Sequence, residues 1–239
     1  MKLFSKKKYL NGEREFKIFN FVVFRYNKSN NKICGSGNII DAPKDTNLRY
    51  IVNGNNNQIT INPDLKNPNY LINIVINGNN NKVHVNNIKK GALYITIGNG
   101  AELPTNNCSC TFGKDLSITE CTGIVLYEHD SSFECGDDVM ISHGVTFRCS
   151  DGHAILSPDG AVLNRAKNIK IGSHVWICQD VIISKNTEIP DGCIVGARAV
   201  VTKNFTIPNC VIAGIPAKVV KENIHWVNSS PDRLENISQ

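Results

Sequence analysis

An aliphatic or small apolar residue recurs at every sixth position from Ile171 to Val219, through Ile177, Ile183, Ile189, Val195, Val201, Ile207 and Ala213. Neither the period of a helix nor the alternation of a strand gives six. A second row follows four residues later in each unit, at Val175, Val181, Thr187, Cys193, Ala199, Phe205, Val211 and Ala217, so each hexapeptide turns two side chains inward. The pattern predicts an all-β fold, a parallel β-helix built from hexapeptide repeats. Three hexapeptides close one triangular coil, so residues 18 apart stack on each other, separated by about 4.8 Å.

The first half keeps a looser version of this period. Asn53-Gly54-Asn55-Asn56-Asn57-Gln58-Ile59-Thr60-Ile61 returns 24 residues later as Asn77-Gly78-Asn79-Asn80-Asn81-Lys82-Val83-His84-Val85, and Ile33 stands 18 residues before Ile51. The spacing of 24 reads as one coil plus a turn-rich insertion at Asp64-Leu65-Lys66-Asn67-Pro68-Asn69. Asn and Gly suit the left-handed backbone angles of tight corners, so the asparagine tracts read as turn chemistry rather than low-complexity tail. The period fails from Ser150 to Asn168, yet Phe147 and Ile171 remain a multiple of six apart. A loop that leaves the coil and returns in register is expected there, and loops on a rigid scaffold are where chemistry concentrates. The organisation expected is an N-terminal cap over 1–29, irregular Asn-rich coils over 30–130, regular coils over 131–219 carrying the loop 150–168, and a C-terminal helix or cap over 220–239.

Charge narrows the partners. A formal net charge of +5 and a pI near 8.7, with basic residues scattered along the chain, are too mild to imply a nucleic-acid binder and favour an anionic small molecule. The nine cysteines are odd in number, and Cys135 and Cys193 fall on inward positions where a small apolar side chain belongs, which reads as reduced thiols in a cytoplasmic protein. The apolar run Phe16 to Phe24 is interrupted by Lys17 and Asn20, too short and polar for a transmembrane segment, and it lacks a signal-peptide cleavage pattern. It reads as a cap over the first open coil.

Aligning the last coils by 18 gives two columns: Cys178, Gly196 and Gly214 at one corner, and Lys185, Lys203 and Lys221 at another. The first exposes backbone along which a narrow chain can lie, and the second lines up cations for phosphates. Glycine at a corner also answers turn geometry, and lysine commonly faces solvent. His153, in Ser150-Asp151-Gly152-His153, opens the excursion and is the candidate general base, with Asp151 either orienting it or capping a turn. Trp176 falls on an outward position, where it offers a stacking surface for a ring-shaped substrate or a subunit contact. Of the remaining histidines, His143 and His174 are outward and His84 and His129 lie in irregular coils. None forms a pair at ligand-like spacing beside a third acidic or imidazole group, so no metal site is expected. Cys178 has no evident neighbouring base and reads as a small structural residue rather than a nucleophile.

Residues 133–226 resemble the hexapeptide-repeat, left-handed β-helix acetyltransferases. The resemblance is carried by Ser150-Asp151-Gly152-His153-Ala154-Ile155, Ile171-Gly172-Ser173-His174-Val175-Trp176-Ile177, Val195-Gly196-Ala197-Arg198-Ala199-Val200-Val201-Thr202-Lys203 and Ala213-Gly214-Ile215-Pro216-Ala217-Lys218-Val219-Val220-Lys221. Within that family the chain is similar to O-acetyltransferases of capsular and cell-surface polysaccharides, notably the bacterial polysialic acid O-acetyltransferases. The resemblance implies a homotrimer with active sites between subunits, acetyl-CoA as donor, a carbohydrate acceptor, and left-handed coiling. It implies His153 as the base and Trp176 as an acceptor-site residue, with Asp151 beside them. The pantetheine arm is expected along Cys178, Gly196, Ala197 and Gly214, and the nucleotide end among Thr202, Lys203, Pro216, Lys218 and Lys221. Cys178, where the family commonly has glycine, and Arg198, where a small residue is common, depart from the pattern and bear on the donor groove. Two other readings stay open: an acetyltransferase of a small acceptor such as an antibiotic, free sugar or amino sugar nucleotide, and a non-catalytic glycan-binding solenoid.

Overall fold

The computed structural model describes residues 4–8, 13–18, 21–27, 31–43, 46–62, 70–99 and 103–233. Residues 4–27 contribute a three-stranded antiparallel sheet of Phe4–Lys8, Glu13–Ile18 and Phe21–Asn27. From residue 31 the strands pair in parallel with their counterparts one coil away, as a β-helix requires. In the regular region each coil contributes to three ladders. Met140–Ile141, Trp176–Ile177 and Ile194–Val195 form the first face. Thr146–Arg148, Ile182–Ser184 and Val200–Val201 form the second, and Ser132–Cys135, Ile169–Ile171 and Thr187–Ile189 the third.

The expected 18-residue stacking holds where the period is strict: Ile177 pairs with Val195, Ile183 with Val201 and Ile171 with Ile189. All six side chains are buried, because β-branched residues at this spacing fill the prism interior. Below them, Phe147 pairs with Ile183 and Cys135 with Ile171, a step of 36 residues, as between Ser132 and Asn168. The excursion 150–168 therefore adds the length of one coil and returns the chain in register. Phe112, Phe133 and Phe147 stack through the interior with ring centroids 5.3 and 5.0 Å apart.

The period slips at both ends. Ile33 pairs with Val52 rather than Ile51 and is 44% exposed. The asparagine repeat holds its step of 24, with Asn53 opposite Asn77 and Ile59 opposite Val83, while the insertion assigned to Asp64–Asn69 lies outside the described residues. At the top, Val195 pairs with Ile212, one residue short of a full coil, and the buried residues become Cys210 and Ile212 instead of Val211 and Ala213. The sequence explains it: Pro208-Asn209 precedes Cys210 where Pro190-Asp191-Gly192 precedes Cys193, and the two thiols stack 3.6 Å apart. Ile207 is left 38% exposed. Parallel stacking then stops, for Ala217–Lys221 runs back antiparallel beside Val211–Gly214. Beyond it the described chain shows a single helical turn at 231–233 and the buried Trp226.

Asparagine is more than corner chemistry. Asn57 and Asn81 are almost fully buried, and the side-chain oxygens of Asn38, Asn57 and Asn81 accept from the backbone N–H of Asn57, Asn81 and Cys108, each one coil on. Glycine at the adjoining corner is obligatory, since a Cβ on Gly54 would lie 1.9 Å from the carbonyl oxygen of Gly78.

Candidate active site

The loop 150–168 is a tongue whose two arms meet through an isolated antiparallel bridge between Leu156 and Val162. Its tip is built on Ser157, whose N–H donates to the carbonyl of Ala161 and whose hydroxyl bonds Asp159. Four aliphatic side chains there, Ile155, Leu156, Val162 and Leu163, are 57, 56, 39 and 65% exposed. At the neck, Glu128 bonds the Ser150 hydroxyl through one carboxylate oxygen and accepts from the N–H of Ala166 through the other, at 2.9 Å.

His153 lies exposed on the outgoing arm. Its carbonyl accepts from Asn164 Nδ2 at 2.8 Å, and no hydrogen bond of its imidazole to another described residue is present. An open ring nitrogen beside a fixed backbone is what a base approaching a substrate hydroxyl needs. Asp151 is occupied elsewhere. Its Oδ2 accepts from Lys185 Nζ at 2.7 Å and from Asn164 Nδ2 at 2.8 Å, and the Lys185 hydrogen bond foremost, then that of Asn164, holds its carboxyl below the usual aspartate range. The carboxylate thus orders the loop instead of contacting the imidazole.

Trp176 projects from the first face, with Met140 and Ile194 as its neighbours in the ladder. It is half-buried, because Trp226 tilts against it at 6.0 Å between ring centroids. Trp226 is itself stacked on His174 at 4.1 Å and donates its indole N–H to the His174 carbonyl at 2.9 Å. The His174 ring reaches the carbonyl of Trp226 through Nε2 and the Asp138 carboxylate through Nδ1. His174 is therefore the anchor of the C-terminal segment. Along the chain, Trp176 opens the first face, and the loop bearing His153 leaves from the end of the second.

The two columns need revision. Cys178 stacks on Gly196 as expected, but the shortened coil puts Ala213, not Gly214, next: Gly196 donates to the carbonyl of Ile212 at 2.8 Å, and a Cβ on Gly196 would come within 3.1 Å of the Ala213 Cβ. Gly214 instead sits in the reversal, at φ 100°, followed by a cis peptide at Pro216. Burial pushes the Cys178 thiol up, so it is protonated at neutral pH and unsuited to nucleophilic attack. Lys185 is no free cation, since all three of its donors are used, on Asp151 Oδ2 and the carbonyls of Asn164 and Arg165. Lys221 lies antiparallel beside Val211 and so leaves the lysine column. Thr202, Lys203, Ala197, Pro216 and Lys218 are exposed, with Lys203 Nζ 5.4 Å above the Phe205 ring. Arg198 extends into solvent at φ 59° with its Nε 3.7 Å from Asp180. Small residues along Cys178, Gly196 and Ala213, with basic side chains beyond them, suit a thin arm ending in phosphates.

Glu128 and Asn164 escaped the sequence reading, because the pairing of residues 9 to 38 positions apart across an irregular loop leaves no periodic signal. Trp226 lies in the C-terminal helix or cap expected over 220–239, where no spacing singles it out. Among the described residues no cluster of three or more His, Cys, Asp or Glu could hold a metal ion. Nor is any described helix long and apolar enough to cross a membrane.

A triangular parallel β-helix with one protruding loop carrying an open histidine is the arrangement that the resemblance to hexapeptide-repeat acetyltransferases implies. No family model and no curated protein sequence matches the chain. Solved structures do. The polySia specific acetyltransferase NeuO is 28% identical, with a TM-score of 0.58 over 84% of this chain and 89% of that one. The polysialic acid O-acetyltransferase OatWY is 28% identical, with a TM-score of 0.59 over 87% of this chain and 98% of that one. In fold and in sequence the chain is similar to these acetyltransferases.

Proposed function

We propose that this chain is an O-acetyltransferase that moves the acetyl group of acetyl-CoA to a sugar hydroxyl of a bacterial surface polysaccharide, a capsule containing sialic acid being the foremost candidate. The observation that carries the proposal is the likeness to two polysialic acid acetyltransferases over 84 and 87% of the chain. The formal net charge of +5 favours both an anionic donor and an anionic polymer.

In this reading the His153 imidazole removes the proton of the acceptor hydroxyl, and the oxygen attacks the thioester carbonyl. Backbone N–H groups of the groove stabilise the tetrahedral oxyanion. The intermediate collapses with cleavage of the C–S bond, CoA leaves as thiolate, and the acetyl ester remains on the sugar. Trp176 provides an apolar wall for the acceptor ring. Gly196 and its small neighbours accommodate the pantetheine arm, while Lys203 and Lys218 meet the phosphates.

The enzyme works as a homotrimer. Support comes from the departure of the His153 loop after the second face while Trp176 lies on the first, and from the aliphatic tongue tip, which a neighbouring copy would cover. A cytoplasmic location agrees with the donor and with nine cysteines free of disulfides. The test is incubation with acetyl-CoA and polysialic acid, following thiol release and acetyl ester on the polymer. Transfer to the polymer supports the reading. Thiol release with a free sugar or an antibiotic alone would move the chain to a small acceptor, and failure to bind acetyl-CoA in a calorimetric titration would remove the enzyme altogether.

A further inference from the structure

We propose that Lys185 and Asn164 are positioning residues that mount the His153 arm on the solenoid, acting as a clasp across the neck of the tongue. Lys185 stands immediately after the strand Ile182–Ser184, whose centre, Ile183, is fully buried and paired on both sides. Its base is therefore part of the rigid prism. From there the side chain, 18% exposed, donates through its ammonium to the Asp151 carboxylate on the outgoing arm and to the carbonyls of Asn164 and Arg165 on the returning arm. One cation thus ties both arms to one coil.

Asn164 supplies the second half. Its amide donates to Asp151 Oδ2 and to the His153 carbonyl, and its oxygen accepts from the N–H of Ile155 at 2.7 Å. Both amide donors and the acceptor are used on alternate residues 151, 153 and 155. The side chain so replaces a strand partner where the loop has none, and the backbone of His153 is held at its carbonyl. Without the clasp, the arm would keep the Glu128 contacts and the Lys167 N–H to Cys149 carbonyl bond at the neck, the bond from the Gly152 N–H to the Ser150 hydroxyl, and the bridge near the tip. The imidazole would then sample many positions, and catalysis by a base falls steeply with displacement of the order of 1 Å.

The catalytic half of this inference rests on His153 being the base of the proposed acetyl transfer; the mechanical half does not. The experiment separates them. Hydrogen exchange is followed by mass spectrometry over peptides covering 150–168 and 169–201 in the full chain, for the wild type, Lys185→Met, Lys185→Arg and Asn164→Asp. Turnover is measured with acetyl-CoA and the acceptor. We expect Lys185→Met and Asn164→Asp to exchange the loop amides at least tenfold faster while the coil peptides are unchanged, and to lower kcat at least tenfold with KM for acetyl-CoA within twofold. Lys185→Arg, which keeps charge and donors, should recover a large part of both. Loop exchange at the wild-type rate in Lys185→Met and Asn164→Asp overturns the clasp. Faster loop exchange with unchanged kcat overturns the positioning role. A wild type without acetyl transfer refutes the enzymatic reading, and the exchange data still decide the clasp. Should Lys185→Met fail to fold, Asp151→Asn, at a carboxylate 46% exposed, probes the same contact.

Discussion

The coils below residue 130 and those above it build one prism by different means. Above, aliphatic rows at strict spacing fill the interior, and the step from Ile177 to Val195 is repeated from Ile183 to Val201. Below, the steps vary, and amides stitch one coil to the next through the half-buried Asn38 and the buried Asn57 and Asn81. The ladder ends at Cys108, whose thiol lies 3.4 Å from the Ser131 hydroxyl. Regular packing leaves the upper corners free to be spent on a loop and a groove. The lower coils use their polar groups on one another, which suits a structural role. The comparison therefore predicts that chemistry can be removed from the upper region without loss of fold, and fold from the lower without direct loss of chemistry.

The largest effect should come from the loop. His153→Ala is expected to lower kcat by about 100- to 10,000-fold, the range of a lost general base, while thermal stability and CoA affinity stay at wild-type values. Steady-state kinetics and calorimetry check this, and turnover within a few-fold of wild type would show that the base lies elsewhere. Next is Asn81→Ala in the lower coils. Asn81 is fully buried, donates to Asn57 and Thr105 and accepts from Cys108, so its loss strands several polar groups. A cost of about 3 kcal/mol follows, a fall in Tm of about 6–12 °C, with kcat unchanged below the transition. A drop in kcat with Tm intact would erase the proposed division of labour.

How far the sequence disclosed this division follows from where its periodicity holds. The β-helix, the register of the regular coils and the return of the loop in phase were legible because shape complementarity inside a prism forces residue type at fixed spacing. His153 and Trp176 were legible as residues for which the repeat has no use, and the resemblance then implied their roles. The buried amide ladder was not, since the same Asn-Gly tract satisfies an exposed corner equally well. The Lys185 clasp was hidden for a related reason. A lysine in register with Lys203 looks like half of an anion site until the loop, whose path no spacing dictates, folds back upon it. The shift from Gly214 to Ala213 was readable in principle from the residue missing before Cys210.

A smaller effect is expected at the first face. Trp176→Ala should raise the acceptor KM several-fold, reflecting about 1 kcal/mol of ring contact, with KM for acetyl-CoA unaltered. Trp226→Ala removes the ring that tilts against Trp176 and stacks on His174, so a weaker shift of the same kind is expected. Acceptor titrations of both variants make the check, and equal KM values in Trp176→Ala and wild type would exclude the tryptophan from the acceptor site.

The least effect, and the sharpest separation of the two regions, is in acid. The Asp151 carboxyl is held down chiefly by its hydrogen bond from Lys185, then by that from Asn164. A carboxyl lowered on folding adds stability that is complete above its ordinary value of about 3.9 and is lost as pH falls through the lowered folded value. The clasp should therefore stay closed through the neutral range and open below about pH 4. The asparagine ladder has no titratable member, so its coils have no such step. Hydrogen exchange as a function of pH, corrected for intrinsic rates, should show the loop amides losing protection by a few-fold in that window while peptides over 51–62 and 71–85 hold theirs. In Asp151→Asn the loop should be less protected and the step absent. A step that persists in that variant would assign the acid sensitivity to Glu128 at the neck, and the ion pair would then contribute little to the mount.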